Sequence, residues 1–181
     1  MNYKKIVSLG SGSCVLEDIL SKCIPSDCTI TCLEIRESLV NAASKYFHNL
    51  NPIVFDMTKD SIKENFDVAF FFSCSSYLSS KQYLRMLKQL RDSGVKEIID
   101  WSGYLRMSRC IKSFIGSFLI HNNKTIQNKH ICLYMKSLRE LKRIYKTVGA
   151  EIVYKQNIDS SIGLQNAIFV LRFKGICNDK K

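Results

Sequence analysis

Proline is scarce in this sequence, with two residues in 181, which excludes collagen-like and Pro-rich linker classes. A content of 46% apolar residues excludes a disordered chain. Long hydrophobic runs are missing as well. The densest, Val68 to Phe72, has the length of a buried strand and falls far short of the ~20 residues that cross a bilayer. Too few apolar residues lie between Met1 and Gly10 for the core of a secretory signal, so a cytoplasmic location is expected. No Cys-x-x-Cys pair occurs among the eight cysteines, at positions 14, 23, 28, 32, 74, 110, 132 and 177. Structural zinc sites usually need such close pairs, so reduced cysteines acting as small buried hydrophobes are expected, and no metal site. Internal repeats are absent. Acidic residues are also in deficit, 16 against 27 Lys and Arg, which leaves a formal charge of +11. Such an excess attracts polyanions, yet no basic tract is interleaved with aromatics in the way single-strand binders require.

What is present is an alternation of strand and helix signals over a length that suits one domain, residues 1–181, with a sizeable core. Ile6 to Leu9 is a short β-prone run ending at Gly10 and Gly12, and Val15 to Lys22 follows as a helix with Leu16, Ile19 and Leu20 inward. Thr29 to Ile35 is β-branched and apolar. Glu37 to Phe47 is helical with Leu39, Val40 and Ala43 on one side, and Asn51 to Phe55 begins a third strand. Phe66 to Phe72 reads as a strand covered on both faces, after which Ser79 and Gln82 have capping-box spacing. Leu84, Leu87 and Leu90 supply that helix's core stripe, Gly94 its terminating glycine, and Lys96 to Trp101 a fifth strand. Five such units in parallel order predict an α/β fold, a doubly wound, mostly parallel sheet in a Rossmann-like three-layer arrangement. A helical insertion is expected at about 104–134, its stripe running through Met107, Cys110, Ile111, Phe114, Ile115 and Phe118. The next helix, Lys136 to Val148, sets Leu138, Leu141, Tyr145 and Val148 against a basic, solvated face of Lys136, Arg139, Arg143 and Lys146. Glu151 to Lys155 and Ala167 to Phe173, with Gly163 between them, complete the sheet as a C-terminal antiparallel strand pair.

Parallel sheets bind ligands at the carboxyl ends of their strands, where small residues let a ligand approach the backbone. Gly10-Ser11-Gly12-Ser13 lies there, although a tight strand-to-helix turn wants glycine for steric reasons alone. Glu34 ends the second strand about twenty residues beyond the loop, where a carboxylate can accept from a ribose's paired hydroxyls. Asp56 closes the third strand in the equivalent place, suited equally to an adenine amino group or, just before a helix, to a plain N-cap.

Loop, Glu34 and Asp56, in that order at three successive strand ends, resemble the class I S-adenosylmethionine-dependent methyltransferases over Lys5 to about Trp101. The resemblance implies a seven-stranded sheet, S-adenosylmethionine as cofactor and S-adenosylhomocysteine as product. It further implies a cofactor site in which Ser8 and the loop Gly10, Ser11, Gly12 and Ser13 follow the first strand. Glu34 would hold the ribose, Ile35 flank the adenine, Asp56 with Met57 contact the ring, and Ser73 with Cys74 border the methionine moiety. Ser8 departs from the pattern, because relatives carry Asp or Glu there, a position linked to the methionine amino group. The third glycine of a dinucleotide Gly-x-Gly-x-x-Gly fingerprint would fall at Val15, which argues against a dehydrogenase.

Methyl transfer from a sulfonium depends chiefly on alignment, so no fixed catalytic triad is expected. Tyr77, His121 and His130 are the candidates for a general base. Cys74-Ser75-Ser76-Tyr77 lacks the Asn/Asp-Pro-Pro-Tyr tetrapeptide of many amino-directed nucleic-acid methyltransferases, which favours a small-molecule or sugar-like acceptor. Two readings stay open beside it: an RNA or DNA methyltransferase, from the +11 charge, and a non-catalytic cofactor-binding or scaffold protein, from Ser8. Phe114 and Phe118 can line a pocket, pack on the sheet or meet a second copy in a homodimer.

Overall fold

The first strand, β1 (Lys5–Leu9), runs into the glycine loop and helix α1 (Val15–Ser21). Then follow β2 (Thr29–Glu34), α2 (Glu37–Tyr46), β3 (Leu50–Val54) and β4 (Val68–Phe72). A short 3-10 turn, Ser75–Tyr77, leads to α3 (Ser80–Asp92) and β5 (Glu97–Leu105). Helix α4 (Leu138–Thr147) precedes the long strands β6 (Ala150–Ser161) and β7 (Leu164–Phe173). The computed structural model describes residues 3–105, 134–161 and 164–175. Of the insertion expected at about 104–134, residues 106–133, with His121, His130, Phe114 and Phe118, lie outside them, as does Gly163, while Tyr104 and Leu105 belong to β5, which is longer than expected.

The strands form one seven-stranded sheet in the order β3-β2-β1-β4-β5-β7-β6. The first five are parallel; β7 runs antiparallel to both β5 and β6. This is the doubly wound, mostly parallel sheet with a C-terminal antiparallel pair that the sequence predicts. Pro52 lies in β3, at an edge, where a strand tolerates a missing donor. At the other edge, β6 breaks register between Ile152 and Tyr154 and again between Asn157 and Asp159; such irregularities blunt an exposed edge.

The sheet separates two apolar layers. On one side Tyr83, Met86, Leu87 and Leu90 of α3 and Leu141, Ile144, Tyr145 and Val148 of α4 pack on Val7, Leu9, Phe71, Ile98 and Phe169. On the other, Cys14, Leu20, Ile24 and Ala43 pack on Ile6, Ile30 and Cys32. Helix α3 begins as expected: Ser79 and Gln82 form a full capping box, and Gly94 (φ +85°) takes the left-handed turn beyond its end.

Two sequence expectations are corrected. Leu16 and Ile19, expected inward, are 40% and 55% exposed, while Glu17 is buried. The cause is the helix entry. Cys14 adopts a left-handed conformation (φ 59°) immediately before α1, so residues 14, 17, 20 and 24 form the stripe that faces the sheet. Lys136, assigned to the solvated face of a helix, precedes α4 and is buried; Ser137 caps that helix through Glu140. The Lys136 ammonium donates to the carbonyls of Ser75 (3.0 Å), Leu78 (2.6 Å) and Tyr134 (3.2 Å). Arg139, Arg143 and Lys146 do face solvent.

Candidate functional site

The carboxyl ends of β1, β2, β3 and β4 converge around the glycine loop. Gly10 (φ +66°) and Gly12 (φ +59°) both adopt left-handed conformations, and the amides of Gly10 and Ser11 donate to the Leu33 carbonyl of β2 (2.7 and 3.2 Å). At Gly10 the absence of a side chain is a packing requirement. A Cβ there would stand 2.6 Å from Cys74 Cβ and 3.5 Å from Met57 Cε. Segments following β1, β3 and β4 thus meet at one point, and the Cys74 thiol donates to the Leu9 carbonyl at 2.8 Å. Desolvation holds that thiol well above the ordinary cysteine range, which disfavours the thiolate form.

Glu34 fastens the loop. One carboxylate oxygen accepts the Gly12 amide (2.9 Å); the other accepts the amide and guanidinium of Arg36 (3.1 and 2.8 Å). Burial alone would raise its carboxyl, but the Arg36 and Gly12 hydrogen bonds and the guanidinium charge outweigh that and hold it below the usual range. Beside it Ile35 is 59% exposed, presenting an apolar side chain at the strand end. Asp56 serves its own turn. Its Oδ1 accepts the Thr58 amide (2.8 Å) and hydroxyl (2.6 Å), and its Oδ2 faces the Lys59 ammonium at 3.5 Å. No helix directly follows Asp56, so it closes a turn at residues 57–59 and is not the helix N-cap expected.

Ser73 follows β4 in a left-handed conformation (φ 55°), exposed, with its amide donating to the Trp101 carbonyl (2.7 Å). Tyr77, half exposed, stands on the 3-10 turn just beyond. That turn is anchored from below by residues the sequence reading did not single out. Asp100, fully buried on β5, accepts from Ser75 (3.1 Å), Tyr83 (2.5 Å) and Tyr145 (3.4 Å). Burial pushes its carboxyl up, only partly offset by the Tyr83 and Ser75 hydroxyls and by the charge of Lys136. Glu17 is the other missed residue: buried on α1, it accepts from Ser8 Oγ at 2.5 Å. Its position one helical turn after Cys14 was the available signal, hidden by the apolar neighbours that turned out to face solvent.

No family model and no curated protein matches the chain. Solved structures do. SibL, an S-adenosylmethionine-dependent methyltransferase solved in its apo form, superposes with a TM-score of 0.70 at 13% identity over 95% of this chain and 51% of its own. The PH0226 protein of Pyrococcus horikoshii OT3 gives 0.71 at 13% identity, covering 96% of this chain and 83% of its own. Magnesium protoporphyrin IX methyltransferase (ChlM) of Synechocystis PCC 6803, solved with bound SAH, gives 0.68 at 11% identity over 94% of this chain and 74% of its own. This chain spans about half the length of SibL. The likeness assigns the fold: it is the seven-stranded, Rossmann-like fold of the class I S-adenosylmethionine-dependent methyltransferases.

Proposed function

We propose that the chain is an S-adenosylmethionine-dependent methyltransferase that acts on a small-molecule or sugar-like acceptor. The observation that carries the reading is the clamp at the ends of β1 and β2, in which the buried Glu34 carboxylate holds the Gly12 amide beside the exposed Ile35. A carboxylate kept ionised at a strand end, next to a backbone without side chains and an open apolar surface, fits a nucleoside's ribose and base. The residues present therefore suit an adenosine moiety. Glu34 accepts from ribose hydroxyls, with the largely exposed Arg36 side chain free to give way. Ile35 and Met57 flank the ring, and Asp56 reaches it through the oxygen that now faces Lys59. Ser11, Gly12 and Ser13 line the backbone side, while Ser73 and Cys74 border the methionine end.

The bound cofactor supplies a methyl group already activated by its positive sulfur. What the chain contributes is alignment and the exclusion of water, worth up to about 7–11 kcal/mol in well-oriented systems. Tyr77 is the described candidate for taking a proton from an oxygen acceptor. Its place on the turn pinned by Ser75–Asp100 and by the Lys136 ammonium supports that role. The neighbours SibL and ChlM are named as methyltransferases, and ChlM acts on magnesium protoporphyrin IX, which favours a small-molecule acceptor here too. A nucleic-acid acceptor is the second reading, favoured by the exposed Arg139, Lys142, Arg143 and Lys146 of α4.

Isothermal calorimetry with S-adenosylhomocysteine tests the reading. Binding is expected, with Glu34→Ala weakening it at least tenfold through loss of charge-assisted hydrogen bonds worth about 1.5–3 kcal/mol. No heat at millimolar ligand sinks it.

A further inference from the structure

We infer that Glu17, held by Ser8, is the carboxylate that balances the cationic amino group of the bound cofactor. It stands in on helix α1 for an acid that β1 lacks. The inference rests on the cofactor reading above and concerns its methionine end.

Ser8 lies two residues before Gly10, level with Cys32 of β2 and Phe70 of β4. Its hydroxyl donates to Glu17 Oε1 at 2.5 Å, and each residue is only 1% exposed. The second oxygen, Oε2, is buried with no hydrogen-bond partner among the described residues. The groups facing Glu17 give it no countercharge. From the loop and β2 come the thiols of Cys14 and Cys32, and on its own helix Asp18 is turned to Lys22. A carboxylate so placed is costly to bury, and a helix stripe filled by an aliphatic residue would avoid the cost. Beside Ser8 and Cys14, at the base of the glycine loop, such a carboxylate has a use if a cation arrives there. S-adenosylmethionine and its product each carry an α-ammonium on the part of the molecule that the reading puts beside Ser73 and Cys74.

The pairing has a proton signature. Desolvation raises the Glu17 carboxyl above the ordinary glutamate range in the free protein, against the smaller opposite pull of Ser8. A cation settling against it lowers that value, and the proton goes to the buffer. Ligand binding should therefore release a proton only when the ligand has the amino group.

The experiment titrates the full chain near pH 6 with S-adenosylhomocysteine and with 5′-methylthioadenosine, which lacks the amino-acid part, in buffers of different ionisation enthalpy. Proton release is expected with the first ligand and not with the second, a comparison that needs no variant. Glu17→Gln should abolish the release and weaken S-adenosylhomocysteine roughly 10- to 100-fold, the range of a lost charge-assisted interaction, while 5′-methylthioadenosine shifts less than about twofold. Moving the acid to the strand, in Ser8→Asp with Glu17→Gln, should recover most of the affinity. Equal release with both ligands, release that persists in Glu17→Gln, or equal weakening of both ligands overturns the inference while the cofactor reading stands. If neither ligand binds the unaltered chain, the cofactor reading falls and the inference with it.

Discussion

At the level of single residues, the loop's geometry is set by what cannot be added to it. Gly10 combines a left-handed backbone, costing about 1 kcal/mol for an L-residue, with a Cβ position only 2.6 Å from Cys74 Cβ. Gly10→Ala should therefore destabilise the protein by about 2–4 kcal/mol, read as a fall in the urea midpoint. Adding Cys74→Gly removes the clashing atoms and leaves the backbone strain. The double variant should thus lose less than the two single losses combined, and a strictly additive loss would place the cost in the backbone alone. The same residues show how much of the site was legible. Gly10, Gly12 and Glu34 could be read from position alone, because strand ends and loop spacing follow from chain order. The partners of Glu34 could not, since the Arg36 guanidinium bond and the Gly12 amide bond depend on how one turn closes. Asp56 was legible as two alternatives, and the Thr58 hydrogen bonds occupy one of its oxygens while the other faces Lys59.

Among elements, β5, α3, α4 and the turn after β4 are joined through Asp100, whose carboxylate gathers hydroxyls from Ser75, Tyr83 and Tyr145 above an otherwise apolar layer. Periodicity could not reveal this junction. It identifies which stripe of a helix is apolar, and Tyr83 and Tyr145 count as apolar in that scheme although their hydroxyls need an acceptor. It failed on α1 for a related reason: two apolar residues, Leu16 and Ile19, outweighed the conformation of Cys14 that turns them outward. Asp100→Ala strands two buried phenols and removes the charge opposite Lys136, so a loss of about 3–5 kcal/mol is expected. Asp100→Asn keeps an acceptor and should lose roughly half as much. The sign with pH follows from burial, which raises the Asp100 carboxyl. A raised group stabilises fully below its unfolded value, about 3.9 for aspartate, and that contribution is lost as pH climbs through the folded one. Denaturant titrations from about pH 4 to 7 should accordingly fall less steeply for Asp100→Asn than for the unaltered chain.

For the whole molecule, alternation predicts a doubly wound sheet with the antiparallel pair at one end, because right-handed crossovers leave few arrangements for five parallel units, but that the pair joins the β5 edge and not the β3 edge is seen only in the structure. Charge is a property at this scale too, and it bears on the acceptor. A formal charge of +11 attracts RNA through counterion release whether or not RNA is a substrate, so affinity alone decides nothing. Coupling to the cofactor site decides it. If the basic face of α4 serves only as a field, RNA binding should weaken steeply between about 50 and 200 mM salt. It should weaken again in Arg139→Glu with Arg143→Glu, and be unchanged by saturating S-adenosylhomocysteine. If an acceptor that reaches the proposed cofactor site is coupled to the cofactor, each alters the other's affinity by the same factor. A several-fold shift of RNA affinity on adding S-adenosylhomocysteine, matched by the reciprocal shift, would move the acceptor from small molecules to nucleic acid. Equal affinities with and without it are what the proposed small-molecule acceptor predicts, with the charge acting only on where the protein lingers.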